Sequence, residues 1–378
     1  MRRVTCEVGT TTAPNGLRLQ HGISYVCTDG VAMEWFNAAP DGVRISSIRS
    51  WERPYFGHDL NGKRLWVSRG AGFGDQLVMS GVLRELKRRW SEATIDFATA
   101  PGADVLFGMN DADSEARHLF RFSPYILPFD EWRAYDFHRI VEEIIELDRE
   151  PDQTGIWQTH FRFFGIDPAT VAPEHMRPVN IVTSSAQEMA DAFIHDECGD
   201  SEFILVQLAS TSPIRSLSPK RIENLLAALV LEFPKHKIVA VGSRLESKIS
   251  TPEGIEKLKI TLPQQVIPCV GKDPRIMVGL VGAASAIVAP DSCINHIAAG
   301  LGEASPPVVS LWSSFDPDRR VRTYPNQHPI YSRPPCAPCF MHEHSEPPMG
   351  CPLYRGHCRG LDAIPDATII EKLKEVLP

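Results

Sequence analysis

The sequence predicts an α/β protein built from two doubly wound units in tandem, with a small β-rich segment ahead of them and a cysteine finger near the end. Three observations carry this. Apolar runs of strand length alternate with helical patterns over 63–99 and again over 202–312. In the first stretch a strand, a glycine-rich turn, a helix and a second strand follow in that order, which makes a βαβ unit and therefore a parallel sheet. Proline punctuation at Pro168, Pro173 and Pro178 separates the two alternating runs and marks a linker.

Composition bounds the answer. The chain has 378 residues, and at roughly 100–200 residues per domain that gives two or three domains. Hydrophobic residues make up 43% and charged residues 23%, the balance of a globular chain and not of a disordered one. The formal charge of −8 argues against a protein that coats nucleic acid through a general basic face. No apolar run reaches the roughly 18–20 residues that span a bilayer, so no membrane span is expected. The opening MRRVTCEVGTTT lacks an apolar stretch behind its two arginines. The expectation is therefore a cytoplasmic chain without a secretory signal.

In chain order, residues 1–60 read as a β-rich accessory segment, with VAMEWF and VRISSIRSW as short strands and tight turns at Asp29-Gly30 and Asp41-Gly42. Residues 61–180 form the first doubly wound domain. There KRLWVS is a strand, RGAGFGD a turn, and QLVMSGVLRELKRRW a helix with Leu77, Val78, Val82, Leu83 and Leu86 at helical spacing. ATIDFAT is the next strand, and YDFHRIVEEIIEL and GIWQTHFRFFGI are read as helices. Residues 181–365 form the second domain. EFILVQLA, HKIVAVGS, QQVIPCVG, SAIVAPDS and PPVVSLW are its strands. PKRIENLLAALVLEF, with Pro219 in its first turn, DPRIMVGLVGAA and CINHIAAGL are its helices. Residues 366–378 are a C-terminal helix opened by Asp366 as N-cap. Two such units enclose a cleft, and ligands of open parallel sheets sit at the carboxyl ends of the strands.

The residues at those ends are the candidates. Gly70-Ala71-Gly72-Phe73-Gly74-Asp75 departs from a dinucleotide fingerprint, because Asp75 occupies the sixth position, where a glycine belongs and a carboxylate repels a pyrophosphate. Gly72 and Gly74 allow close approach of a ligand. Asp75 is then either a complement to the helix dipole or a general base. Asp291-Ser292-Cys293 leads from a strand into a helix whose first N–H groups form an anion site, with His296 in the first turns and within reach of a phosphate. The polar loop 207–219 carries Ser210 and Arg215, a guanidinium fork suited to phosphate. Glu246, after the strand KIVAV, suits ribose hydroxyls or is a plain helix-start glutamate.

Nine cysteines are present, and Cys336, Cys339, Cys351 and Cys358 crowd together as C-x2-C, then C, then C. This spacing over residues 333–360 points to a closed tetrahedral structural site, zinc by default and iron as the alternative, with His342, His344 and His357 as substitutes for a cysteine.

These motifs, in this order and spacing over about residues 64–377, resemble the ADP-heptose heptosyltransferases of glycosyltransferase family 9. The matching pieces are GFGD before a helix, the Ser/Thr-rich loop with a basic residue before a proline, G-x-x-x-E after the next strand, and DSCINHIAA. The resemblance implies the GT-B architecture, two Rossmann-like domains facing a cleft, and inverting transfer from a nucleotide-diphosphate sugar without a catalytic metal. It implies Asp75 as general base and Arg215 near the donor-phosphate residue. It also implies Asp291, Ser292, Cys293 and His296 as the diphosphate turn, with Cys293 in place of the usual glycine, and Glu246 as nucleoside contact. An ADP-sugar is the donor that the family favours. The acceptor is a glycan, a protein or a modified nucleic acid. The cysteine finger and the N-terminal segment look like those of autotransporter protein heptosyltransferases, whose finger holds iron. The competing readings are a nucleotide-sugar epimerase of the same architecture and a non-catalytic nucleic-acid- or protein-binding module that uses the finger, with RELKRR (84–89) as its basic patch.

Overall fold

The computed structural model describes residues 2–6, 11–12, 18–21, 23–27, 32, 43–47, 53–69, 72–99, 102–123, 127–141, 155–199, 201–210, 213–242, 248–251, 254–257, 262–337, 339, 351 and 357–377. Its frame is three sheets. The first is antiparallel and joins β1 (Arg2–Cys6), β2 (Ser24–Cys27) and β3 (Val43–Ser47), in the order β3-β1-β2, to β7 (Leu127–Pro128) beside β2. The last strand comes from well beyond the accessory segment and stitches it to the first lobe. Val26 of β2, Leu127 and Phe129 share an apolar cluster with Trp66 and Trp132, whose rings meet edge to face. VRISSIRSW supplies β3, whereas VAMEWF lies outside the described residues apart from Ala32.

The second sheet is parallel, ordered β8 (Phe137–Ile140), β4 (Arg64–Ser68), β5 (Thr94–Ala98), β6 (Arg121–Ser123). α1 (Phe73–Arg89) crosses between β4 and β5 and buries Leu77, Val78, Val82, Leu83 and Leu86, the residues whose spacing predicts it. Its last turn carries Lys87, Arg88 and Arg89, cations that complement the helix dipole. One expectation is corrected here. Phe137–Ile140, read from sequence as the start of a helix, is a strand that pairs with β4 from Phe137↔Leu65 to Ile140↔Ser68. Its local pattern suits a helix, and pairing to a central strand overrides that preference. α2 (Ile156–Phe163) is the helix expected from GIWQTHFRFFGI.

The third sheet is also parallel. Its order is β11 (Val266–Val270), β10 (Lys237–Gly242), β9 (Phe203–Gln207), β12 (Ala286–Pro290), β13 (Val308–Trp312), β14 (Gln327–Tyr331). Numbered from its own first strand this is 3-2-1-4-5-6, the doubly wound order, with the direction of winding reversing between β9 and β12. Every residue of β9, β12 and β13 is buried, as strands covered on both faces must be. α3 (Ser184–Glu197) leads in from the linker. α4 (Pro219–Glu232), α5 (Pro274–Ala283) and α6 (Cys293–Gly300) cover the sheet. α7 (Asp318–Val321) precedes β14, and α8 (Asp366–Val376) closes the chain. Asp366 is the first residue of α8 and not its N-cap, which is Pro365. Its carboxylate is drawn away to the Arg221 guanidinium on α4.

The lobes share one apolar core in which Val78 and Val82 of α1 join Ile294, Ile297 and Ala298 of α6. The basic stretch 84–89 serves packing. Arg84 donates to the carbonyls of His175, Arg177 and Pro178, and Arg88 and Arg89 both bond the fully buried Glu85. No helix among the described residues is long and apolar enough to cross a membrane.

Candidate active site between the lobes

Each sheet delivers polar groups at its carboxyl ends. In the first lobe β4 ends at Ser68, and Arg69 follows, its N–H bonded to the Ala98 carbonyl at 2.9 Å. Gly70 and Ala71 lie outside the described residues. Gly72 is the N-cap of α1 and supplies no side-chain cap, so Asp75 stands in an open first turn. Asp75 Oδ1 pairs with Arg69 Nη2 at 2.9 Å. Burial acts to raise the Asp75 carboxyl, but the Arg69 guanidinium, reinforced by Arg215 and Arg320 from the other lobe, outweighs it and brings the pKa down to about 2.

In the second lobe the site forms where the winding reverses. β9 ends in Gln207, and β12 runs into Asp291 and Ser292. The Ser292 hydroxyl donates to Gln207 Oε1, and Gln207 Nε2 donates to the Ala209 carbonyl at 2.9 Å. That hydroxyl is therefore committed to joining two strand ends. What Ser292 and Cys293 present is backbone N–H at the start of α6, and Ser292, the N-cap, makes no side-chain cap bond. Asn295 Nδ2 ties the turn to the Pro290 carbonyl at 2.7 Å. Ser210 donates its N–H to Ser216 Oγ at 2.9 Å, which closes the loop that ends in the short 3-10 turn Pro213–Arg215. Arg215 Nη1 lies 3.7 Å from Asp291 Oδ2.

The two halves meet at one point. A Cβ at Gly74 would stand 3.0 Å from His296 Cδ2 and 3.7 Å from Cys293 Cα, so only glycine admits this contact between the tips of α1 and α6 without displacing a neighbour. His296 is buried, and its Nδ1 shares a 2.7 Å hydrogen bond with the Tyr324 hydroxyl. Burial lowers its pKa to about 4 against the pull of Asp291 and Asp75, so the imidazole is neutral. Beside this cluster a cavity of about 200 Å³ opens between Gly155, Trp157 and Gln158 of the first lobe and the 316–323 turn of the second, with Arg320 in its wall.

Asp75, Arg215, Asp291 and His296 are thus gathered within one another's electrostatic reach, with Gly74, Ser292 and Cys293 at the helix contact. Glu246 lies outside the described residues. Sequence reading missed Arg69, Arg320, Gln207 as a brace, and Tyr324. The signal for Arg69 was its place one residue past a strand, next to the glycine turn. Tyr324, in an irregular turn, carried no signal.

The four finger cysteines are spread in exposure, from exposed Cys336 to buried Cys351. The finger is tethered to the end of β13, by Cys339 N–H to the Ser314 carbonyl at 2.8 Å and by Cys358 Sγ to Ser313 Oγ at 2.9 Å. Among the described residues no three His, Cys, Asp or Glu side chains form a group that could hold a metal. The side chains as placed therefore do not make the expected ligand shell. His342 and His344 lie outside the described residues.

Two nucleotide-fold lobes around such a cleft define the GT-B glycosyltransferase fold, and this chain has it. Within that class its fold is that of the heptosyltransferases and family 9 enzymes. ADP-heptose LPS heptosyltransferase II of E. coli matches with a TM-score of 0.50 at 16% identity, over 83% of this chain and 98% of that one. The dodecameric iron-containing heptosyltransferase TibC, known from enterotoxigenic E. coli, was solved with ADP-D-β-D-heptose. It matches with a TM-score of 0.57 at 12% identity, over 99% of this chain and 90% of that one. A family 9 glycosyltransferase from Veillonella parvula matches with a TM-score of 0.56 at 11% identity, over 85% and 99%. No protein-family model matches the chain, and no curated protein matches it by sequence.

Proposed function

We propose that this chain is an inverting glycosyltransferase that moves a sugar from a nucleotide-diphosphate sugar to an acceptor hydroxyl, with Asp75 as general base. The observation that carries the reading is the meeting of one carboxylate from the first lobe with a helix tip and a guanidinium from the second. In this reading residues 61–180 are the acceptor lobe and 181–365 the donor lobe. The donor diphosphate rests on the N–H groups that open α6, with Arg215 as its cation and Ser210 and Gly72 lining the approach. Glu246 takes the nucleoside hydroxyls. Charge growing on the leaving diphosphate meets a fixed dipole and a fixed cation. As the acceptor oxygen bonds to the anomeric carbon, its proton passes to Asp75. The bond to the diphosphate breaks on the opposite face with its electron pair, and one displacement inverts the carbon. No metal takes part in the step.

Two of the similar proteins are described with ADP-heptose, which makes ADP the first nucleotide to test. TibC contains iron, and the spacing of Cys336, Cys339, Cys351 and Cys358 supports a structural zinc or iron here. Metal analysis of the purified chain decides that, and a metal-free folded protein would refute it.

The experiment on the reaction couples ADP binding to release of ADP from an ADP-sugar with candidate acceptors. Asp75→Asn is expected to cut turnover by about 10²–10⁴-fold while ADP still binds. Arg215→Ala is expected to weaken ADP on the order of ten- to a hundredfold, the loss of a charged hydrogen bond. Near-normal turnover of Asp75→Asn would sink the base assignment. ADP set free only in the presence of acceptor separates transfer from epimerisation.

A further inference from the structure

The Arg69–Asp75 pair is asymmetric in its burial. The Arg69 side chain is 5% exposed while that of Asp75 is 39% exposed, so the cation lies behind and the carboxylate in front. Burying a guanidinium is costly, and Arg69 recovers part of that cost in its bond to Asp75. Arg69 Nε, buried as well, makes no hydrogen bond. Its backbone is pinned to the parallel sheet through the Ala98 carbonyl, so the fork stands on a rigid strand end. It grips Asp75 Oδ1. The other oxygen, Oδ2, faces Gly72, where an added Cβ would come within 3.7 Å.

We propose that Arg69 is the positioning residue of the reaction: it anchors one carboxylate oxygen of Asp75 and holds the group as an anion, so that the second oxygen is left to take the acceptor proton. This rests on the glycosyltransferase reading above. The groups facing Asp75 are Arg69 from the end of β4, Arg215 from the 213–215 turn, Arg320 from α7 and His296 from α6, with Asp291 paired to Arg215 beside them. Three are permanent cations and the imidazole is neutral. Arg215 and Arg320 stand in the donor lobe and a bound diphosphate draws on their charge. Arg69 belongs to the same lobe as Asp75 and stays with it throughout. The anchored carboxylate is a weak base that is ready at every working pH. It suffices because an acceptor oxygen becomes strongly acidic once it bonds to the anomeric carbon, so the proton moves late, from oxygen to Oδ2, while the diphosphate departs with its electron pair.

The test follows the carboxyl itself. Aspartate carboxyl carbons are labelled with ¹³C, and the Asp75 signal is assigned by its loss in Asp75→Asn. In the unmodified chain that signal should not titrate over the pH range in which the fold persists. In Arg69→Gln it should titrate about one to two pH units higher, and the pH profile of turnover should gain a matching acidic limb. Arg69→Lys, which keeps the charge and loses the fork, should hold the titration low and recover part of the rate. ADP affinity and the melting curve report folding, and Arg69→Met serves if the Gln variant fails to fold. An Asp75 titration unchanged in a folded Arg69→Gln or Arg69→Met chain overturns the proposal and leaves the assignment of the base standing. Full turnover of Asp75→Asn overturns the base assignment instead.

Discussion

His296 illustrates how burial and one hydrogen bond fix a neutral histidine at the lobe contact. It is neutral, so one ring nitrogen carries the proton and the other accepts, and its Nδ1 shares a hydrogen bond with the Tyr324 hydroxyl. Nε2 and Cδ2 face Gly74, at the contact between the lobes. The Tyr324 hydroxyl holds the ring in place, and burial pushes that hydroxyl far above the ordinary phenol range, so it stays protonated. Tyr324→Phe removes that partner and leaves Nδ1 unpaired in a buried site. The expected cost is about 1–3 kcal/mol of stability, read from urea unfolding, together with a lower kcat at unchanged ADP affinity. A variant with unaltered stability and kcat would show that this hydrogen bond does not hold the ring.

At the scale of elements, the site depends on two helix tips that touch. α1 and α6 each follow a central strand of its own sheet, and both begin at the carboxyl edge. A Cβ at position 74 would press on the His296 ring, which would have to give by a few tenths of an ångström, while the Cys293 backbone stays at ordinary contact distance. Gly74→Ala is expected to displace the His296 ring, at about 1–3 kcal/mol for an overpacked contact. Tm and turnover should fall together, while the far-UV spectrum of the separate sheets persists. An alanine variant with wild-type Tm would mean that the His296 ring yields without cost. The elements themselves were legible in the sequence. Strands β9, β10, β12 and β13 and helices α1, α4 and α6 follow from apolar runs and helical spacing. Phe137–Ile140 was not, because a four-residue stretch with no alternation takes its state from the neighbour it pairs with.

For the molecule as a whole, two buried histidines make stability depend on pH. His296 at the lobe contact and His138 beneath the accessory sheet are each depressed to about 4 by burial, from an ordinary 6.5. A depressed folded pKa means that the unfolded chain takes up protons first. Stability is therefore complete above about pH 6.5 and is lost as pH falls toward 4. The slope is at most about 1.4 kcal/mol per pH unit for each histidine. Urea midpoints measured at pH 7, 6 and 5 should decline in step, and His138→Gln should flatten the decline. A midpoint constant over that range would contradict the burial of both rings. Asp75 adds a further loss only below its ordinary value near 3.8, as pH drops toward 2.

The chain's own pattern determined the two parallel units, the glycine turn, and the polar residues past each strand. These are local matters of spacing and charge, written within a few residues of one another. Only tertiary structure decided that a strand from residues 127–128 would complete the accessory sheet, that Gln207 would fasten Ser292, and that Arg69 would stand behind Asp75. Those pairings join residues distant in sequence or hidden by a turn. Their partners are chosen by which groups burial leaves without water, a quantity that exists only once each sheet and its helices have packed.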